Sequence, residues 1–193
     1  MTTPLFDLSI PERYRAAAAA FTDRVQGTTD WDVPTPVKEW HARDIVGHLA
    51  WLPGMIGGGS SVTFEPLPSA DDDPVAAWAA LNRQVQALLD DADTADLVYS
   101  SQFIGTKPVP EVVDQYFTSD VIFHTWDLSR ATGQDDQLDE GFIAGAYAGM
   151  QQMGEMIRSS GQFGEQQPVP DDATVQEQFF AFIGRDPRWT PPA

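Results

Sequence analysis

The chain contains no cysteine. Disulfide bonds, a cysteine nucleophile and a cysteine-ligated metal are therefore excluded, and any thiol chemistry would need a thiol supplied from outside the protein. Positive charge is also scarce, because 11 Lys and Arg residues stand against 29 Asp and Glu residues, for a formal net charge of −18. Such a surface repels phosphate groups at long range, so neither nucleic acids nor anionic membranes are expected partners.

Long apolar runs and targeting segments are missing as well. No stretch approaches the roughly eighteen uninterrupted apolar residues that a membrane-spanning helix needs. The N-terminal stretch MTTPLFDLSIPERYR lacks the basic start and the apolar run of a signal peptide. We therefore expect a cytoplasmic protein.

Apolar residues are plentiful and follow a helical period. They make up 42% of the 193 positions, enough for one substantial core, so a single domain over residues 1–193 is expected. Their three- and four-residue spacing predicts six amphipathic helices, over about residues 9–25, 42–52, 74–90, 111–132, 141–160 and 174–183. The pattern predicts an all-α fold, namely a four-helix bundle with flanking helices and one short β-like segment near residues 97–104.

Two of the three histidines lie on predicted buried faces. Asp120 and His124 are four residues apart on the fourth helix, so their side chains stack on one face and can reach a single ion. His48 lies on the core face of the second helix. Two imidazoles and one carboxylate are a common ligand set for catalytic zinc and non-haem iron. The same residues are also compatible with hydrogen-bonded core histidines and a simple intrahelical ion pair.

Four segments carry a resemblance to a known family. TPVKEWHARDIVGHL, DVIFHTWDLSRATG, RSSGQFG and AFIGRDPRW resemble the DinB-like proteins and the metal-binding domain of mycothiol-dependent maleylpyruvate isomerase. The resemblance implies an up-down-down-up bundle that holds one divalent metal through a histidine of the second helix and an acid-x-x-x-His pair of a later helix. Carried over by position, the ligands are His48, Asp120 and His124.

The chain departs from the isomerase in two respects. The acid is aspartate where the isomerase has glutamate, which is one methylene longer, so Asp120 can ligate directly or through water. We also expect no counterpart of the isomerase's C-terminal domain in 193 residues, so maleylpyruvate isomerisation itself is not carried over.

The resemblance and the ligand set together suggest an enzyme. The preferred metal is zinc, with nickel or iron as alternatives, and the expected activity is that of a transferase or isomerase that uses a low-molecular-weight thiol of the mycothiol type. The expected partners are a small-molecule thiol or an electrophilic substrate, and a homodimer is left open. Two alternatives stay open as well: a hydrolase that uses metal-bound water, and a protein that binds a metal or ligand without turnover.

Other polar residues allow simpler interpretations. Asp127 and Arg130 are three residues apart and can form a surface ion pair, or Asp127 can accept a hydrogen bond from His124. His41 is interpreted as a residue at a helix start and not as a ligand. The GGGSS stretch of residues 57–61 lacks the pattern of a phosphate-binding loop and is interpreted as part of a connection.

Overall fold

The computed structural model of the protein describes residues 3–154 and 161–192, and the fold is mainly helical, as the sequence predicts. The helices are α1 (Ile10–Gly27), α2 (Ala42–Leu49), α3 (Trp51–Gly59), α4 (Pro74–Asp90), α5 (Val109–Val112), α6 (Ser119–Thr132), α7 (Glu140–Met153) and α8 (Val175–Phe182). A π-helical segment, Val113–Thr118, joins α5 to α6. The helix predicted over residues 111–132 is therefore present, and it starts two residues earlier.

Helix α1 runs antiparallel to α4. Near the start of α1, the carbonyl of Pro11 accepts a hydrogen bond from the Gln86 side chain, and near its end the Thr22 hydroxyl accepts one from Trp78 Nε1. Residue numbers thus rise along α1 while they fall along α4. The Phe21 ring packs edge-on against Trp78 in the same interface, with ring centroids 4.6 Å apart.

Helix α6 and the π-helical segment run parallel to α1. Arg13 forms an ion pair with Asp114, and Arg24, three turns further along α1, donates to the hydroxyl of Ser129. Residue numbers thus rise in the same direction along both helices, so α1 and α6 are parallel.

Helix α2 runs antiparallel to α6. His48 lies against Asp120 and His124, whereas Trp51, one turn further along the chain, lies against Phe117 and Asp120. Because α2 also packs on α4, the four helices enclose one core, with directions up, down, down and up for α1, α2, α4 and α6. The bundle topology implied by the resemblance is confirmed.

The second predicted helix ends differently from the prediction. It is interrupted at Ala50 and not at Pro53, and α3 then continues through the glycines of residues 57–59. Pro53 falls in the first turn of α3, where a backbone N–H has no helical partner to lose. The interpretation of the whole GGGSS stretch as a connection was therefore wrong for its first three residues.

The β-like segment near residues 97–104 is present as one strand of a hairpin. β1 (Val98–Ser101) pairs antiparallel with β2 (Gly105–Pro108), in a register that places Val98 opposite Pro108 and Ser101 opposite Gly105. The second strand has no apolar alternation and was not predicted.

The two C-terminal helices were predicted with different accuracy. The last one, expected over residues 174–183, is α8, and Thr174 and Glu177 form its capping box. The one expected over residues 141–160 is α7 up to Met153, and residues 155–160 lie outside the described part of the chain. Within that described part, no helix combines the length and the apolar character needed to span a bilayer.

Candidate metal centre

His48, Asp120 and His124 meet between α2 and α6. His48 Nε2 lies 3.1 Å from Asp120 Oδ2, and His124 Nε2 lies 3.4 Å from Asp120 Oδ1. One ligating atom from each of the three residues lies within 4.8 Å of the others. The antiparallel packing of the two helices thus brings together the three residues that the sequence predicts as ligands.

Local structure explains why both residues of α6 point into the bundle. Asp120 and His124 are one helical turn apart, so their side chains lie on the same face. The π-helical segment ends two residues before Asp120, and within it the Thr118 hydroxyl donates to the Val113 carbonyl, 3.5 Å away and five residues back. Single π turns inside α-helices are frequent at functional sites.

The cluster has a closed side and an open side. His124 is only 3% exposed, whereas the side chains of His48 and Asp120 are 34% and 24% exposed. A small molecule can therefore approach from the side of His48 and Asp120, while His124 forms the inner wall.

Two tryptophans border the cluster. The Trp40 ring lies 5.0 Å from the His48 ring and stacks on the His124 ring at 5.8 Å, both measured between centroids. Trp51 Nε1 donates a hydrogen bond of 2.8 Å to Asp120 Oδ2. Because this N–H takes up one carboxylate oxygen, it leaves Asp120 Oδ1 facing His124 as the freer ligating atom.

Asp127 lies behind His124 and is fully buried. Its Oδ2 accepts a hydrogen bond of 2.9 Å from His124 Nδ1, and both of its oxygens accept from the guanidinium of Arg185. Arg130 instead pairs with Asp136. Of the two interpretations of Asp127, the surface ion pair with Arg130 was wrong and the hydrogen bond with His124 is observed.

Neighbouring charges in the cluster outweigh the effect of burial on the pKa values of Asp120 and His124. Burial tends to raise the pKa of Asp120, but the neighbouring charge of His124 and hydrogen bonds from both histidines hold that pKa well below its usual range. Burial also disfavours charged His124, yet Asp120 and then Asp127 raise its pKa to about 9. The two carboxylates, Asp120 beside Nε2 and Asp127 beside Nδ1, thus favour positive charge on the His124 ring.

The donor atoms fit a divalent metal. In a tetrahedral zinc site with bonds of 2.0–2.2 Å, neighbouring ligand atoms lie roughly 3.3–3.6 Å apart. His124 Nε2 and Asp120 Oδ1 lie 3.4 Å apart, close to that separation, and one ligating atom from each of the three residues lies within 4.8 Å of the others. The Nδ1 hydrogen bond of His124 to a carboxylate is also the usual way in which a metal-binding imidazole is oriented.

Sequence reasoning identified the three candidate ligands but missed several of their neighbours. Trp40 and Trp51 were not considered, although Trp51 follows His48 by three residues and so lies on the same face of the helical path. Arg185 lies in the AFIGRDPRW segment, and no sequence pattern links it to Asp127. His41 caps α2 through the capping box that it forms with Asp44, in agreement with its interpretation as a helix-start residue.

A helical bundle with a His, Asp and His cluster between its second and last bundle helices is the architecture of the DinB-like metal-binding proteins. Comparison with known proteins agrees with this class. The family model of the mycothiol maleylpyruvate isomerase N-terminal domain matches residues 14–58, which include His48.

Two curated relatives extend the match beyond this segment. They are "Uncharacterized protein MT0763" of Mycobacterium tuberculosis strain CDC 1551 / Oshkosh and "Uncharacterized protein Rv0738" of strain ATCC 25618 / H37Rv. Each is 32% identical over 161 residues, which cover 80% of this chain and 85% of the relative. No solved structure matches the chain. The chain belongs to the DinB-like family of the mycothiol maleylpyruvate isomerase N-terminal domain.

Proposed function

We propose that the protein binds one divalent metal ion, with zinc preferred, through His48, Asp120 and His124. The observation that carries the proposal is the convergence of one ligating atom from each of these residues within 4.8 Å. Two nitrogen ligands and one oxygen ligand leave at least one coordination position open, whereas structural zinc sites usually have four protein ligands. The open position suits a bound substrate or cofactor.

The activity that we propose is that of a transferase or isomerase that uses an external thiol of the mycothiol type against an electrophilic substrate. A divalent metal supplies the acidity that converts a bound thiol into a thiolate at neutral pH. Membership of the mycothiol-related family supports this choice, and the lack of cysteine means that the sulfur nucleophile must come from outside.

The residues around the cluster have separable roles in this proposal. Asp127 holds the ring of His124, Trp51 holds the carboxylate of Asp120, and Trp40 stacks on the His124 ring and packs against the His48 ring. The exposed edge of His48 leaves a path for the thiol. A hydrolase that activates metal-bound water with a carboxylate base would need a further carboxylate, and within the described residues the two carboxylates in contact with these histidines, Asp120 and Asp127, are already engaged.

Cobalt substitution tests the thiol proposal directly. When the cobalt-loaded protein receives mycothiol, a sulfur-to-cobalt charge-transfer absorption is expected, and the S-methylated thiol should not produce it. The band should also be absent from His124→Ala. Because the chain has no cysteine, and thioethers are poor ligands for such ions, the added thiol is the source of any such band.

The contrary result is equally clear. Glutathione and bacillithiol serve as further thiols, and all are tested up to millimolar concentration, where binding of about −4 kcal/mol is detected. If no thiol perturbs the cobalt spectrum of a protein that does bind cobalt, the thiol-dependent activity is wrong, and binding without thiol chemistry takes its place.

Trp51→Phe is expected to weaken metal binding by about tenfold, because outer hydrogen bonds to ligating groups commonly contribute that much. The variant keeps an aromatic ring but loses the N–H that donates to Asp120 Oδ2. Trp40→Phe is the matched control, since its ring packs on the histidines. Competition with a chromophoric chelator measures both affinities, and an equal loss in the two variants would contradict the role given to the Trp51 N–H.

A further inference from the structure

Asp127 is a fully buried carboxylate with a histidine on one side and an arginine on the other. His124 Nδ1 lies 2.9 Å from Oδ2, Arg185 Nη2 lies 3.0 Å from the same oxygen, and Arg185 Nε lies 3.3 Å from Oδ1. Burial tends to raise the pKa of Asp127, but Arg185 and then His124 hold that pKa below its usual range. The carboxylate is thus an acceptor for both neighbours.

The position of Arg185 is set by the packing of the C-terminal segment. Its backbone N–H donates to the carbonyl of Phe180 at the end of α8. The preceding residue, Gly184, has a φ of +93°, and a Cβ added there would lie 2.5 Å from Cα of Gly164. Two backbone segments therefore cross where only glycine fits at position 184, and Arg185 follows directly after this crossing.

We propose that Asp127 and Arg185 are positioning residues that keep the Nε2 lone pair of His124 directed at the metal. This inference rests on the proposed metal site. A neutral imidazole carries one N–H, and an ionised carboxylate accepts but does not donate. When a cation takes the place of the proton on Nε2, Asp127 therefore keeps the remaining proton of His124 on Nδ1. Arg185 occupies both carboxylate oxygens, so the carboxylate cannot rotate away from the imidazole.

A series of side-chain contacts connects the C-terminal segment to the cluster of candidate ligands. Arg185 orients Asp127, Asp127 selects the His124 tautomer, and His124 Nε2 faces Asp120 Oδ1 at 3.4 Å. Metal affinity thus depends on a residue that lies 58 positions after Asp127 in the sequence and touches no candidate ligand directly.

Arg185→Gln tests the inference, with Arg130→Gln as its matched control. Arg130 also joins α6 to the C-terminal segment, through the carbonyl of Trp189, and pairs with Asp136, but its side chain hydrogen-bonds neither Asp127 nor a candidate ligand. We expect Arg185→Gln to weaken zinc binding by about 10- to 100-fold, the usual effect of losing an outer partner of a ligand. Arg130→Gln should change it by less than about threefold.

A spectroscopic measurement separates positioning from a general loss of structure. In the zinc-loaded wild-type protein, nitrogen-15 NMR should show His124 protonated on Nδ1 only, with a slowly exchanging proton. Arg185→Gln should speed the exchange of that proton, and Arg185→Lys, which keeps the charge and one donor, should restore part of both the affinity and the slow exchange.

The outcomes are distinguishable. If the wild-type protein binds zinc and Arg185→Gln binds it with wild-type affinity and unchanged Nδ1–H exchange, the positioning inference is wrong and the metal site stands. If Arg185→Gln and Arg130→Gln weaken zinc binding by the same factor, the effect is structural and the inference is likewise wrong. If the wild-type protein binds no divalent metal, the proposed site and the inference fail together. If Arg185→Gln does not fold, the zinc affinity and the Nδ1–H exchange of Arg185→Lys are compared with those of the wild-type protein. Weaker binding with faster exchange supports the inference, and wild-type values contradict it.

Discussion

Replacing His124 by alanine is expected to lower the metal content of the purified protein from about one ion per chain to near zero. His124 is the most deeply buried of the three candidate ligands, and its Nε2 faces the Asp120 carboxylate. Its loss removes a ligand, and should therefore exceed the 10- to 100-fold effect of losing an outer partner. His48→Ala should have the same direction of effect. Elemental analysis of the purified variants measures the stoichiometry.

The third histidine provides the control. His41 caps the start of α2, at the opposite end of that helix from His48. Its side chain is 54% exposed and lies beside Asp44. His41→Ala should keep the wild-type metal content, while a thermal melt checks that its helix start has not been lost. If His48→Ala and His124→Ala both retain as much metal as His41→Ala, the ligands lie elsewhere.

The bundle and the three candidate ligands could be predicted because both depend on local periodicity. Apolar residues at helical spacing mark α1, α4 and α6, and the same spacing places Asp120 and His124 on one face whatever the helix packs against. The step that periodicity alone could not make is the pairing of α2 with α6, and the resemblance to a known family made it.

Asp127 shows where that reasoning stops. A charged pair three residues apart on a helix is usually solvent-exposed, yet α6 is buried on all sides from Val121 to Ser129. The outer face of α6 is covered by α8, where Phe179 packs on Phe123 and Phe180 stacks on Trp126. A helix enclosed in this way has no solvent face for periodicity to detect, and the partner of Asp127 lies 58 residues further along the chain.

The break at Ala50 and strand β2 were missed because local composition determines neither of them. Pro53 is the obvious interruption in sequence, but a proline in a first helical turn loses no hydrogen bond, so the helix can restart before it. β2 has the sequence Gly-Thr-Lys-Pro, whose strand conformation comes from pairing with β1 and not from its own composition.

Gly184→Ala is expected to destabilise the protein by about 3 kcal/mol, because a left-handed backbone conformation costs a non-glycine residue about 1–2 kcal/mol and the overlap with a packed neighbour adds about 1–3. The Cβ would lie 2.5–2.8 Å from three backbone atoms of Gly164, which cannot move aside as a flexible side chain would. For a chain of this size, the melting temperature should fall by about 6–12 °C.

Gly133→Ala separates the clash from the backbone conformation. Gly133 also has a positive φ, +67°, but nothing lies within 4 Å of the added Cβ, so only the backbone cost of about 1–2 kcal/mol is expected.

Gly184→Ala and Gly133→Ala should differ in metal binding as well. A methyl group at Gly184 displaces the neighbouring Arg185 and should weaken zinc binding towards the level of Arg185→Gln, whereas Gly133→Ala should leave it unchanged. Chelator competition well below both melting temperatures measures this difference. If Gly184→Ala melts early yet binds zinc as the wild-type protein does, the crossing of the two glycine segments stabilises the fold without positioning Arg185.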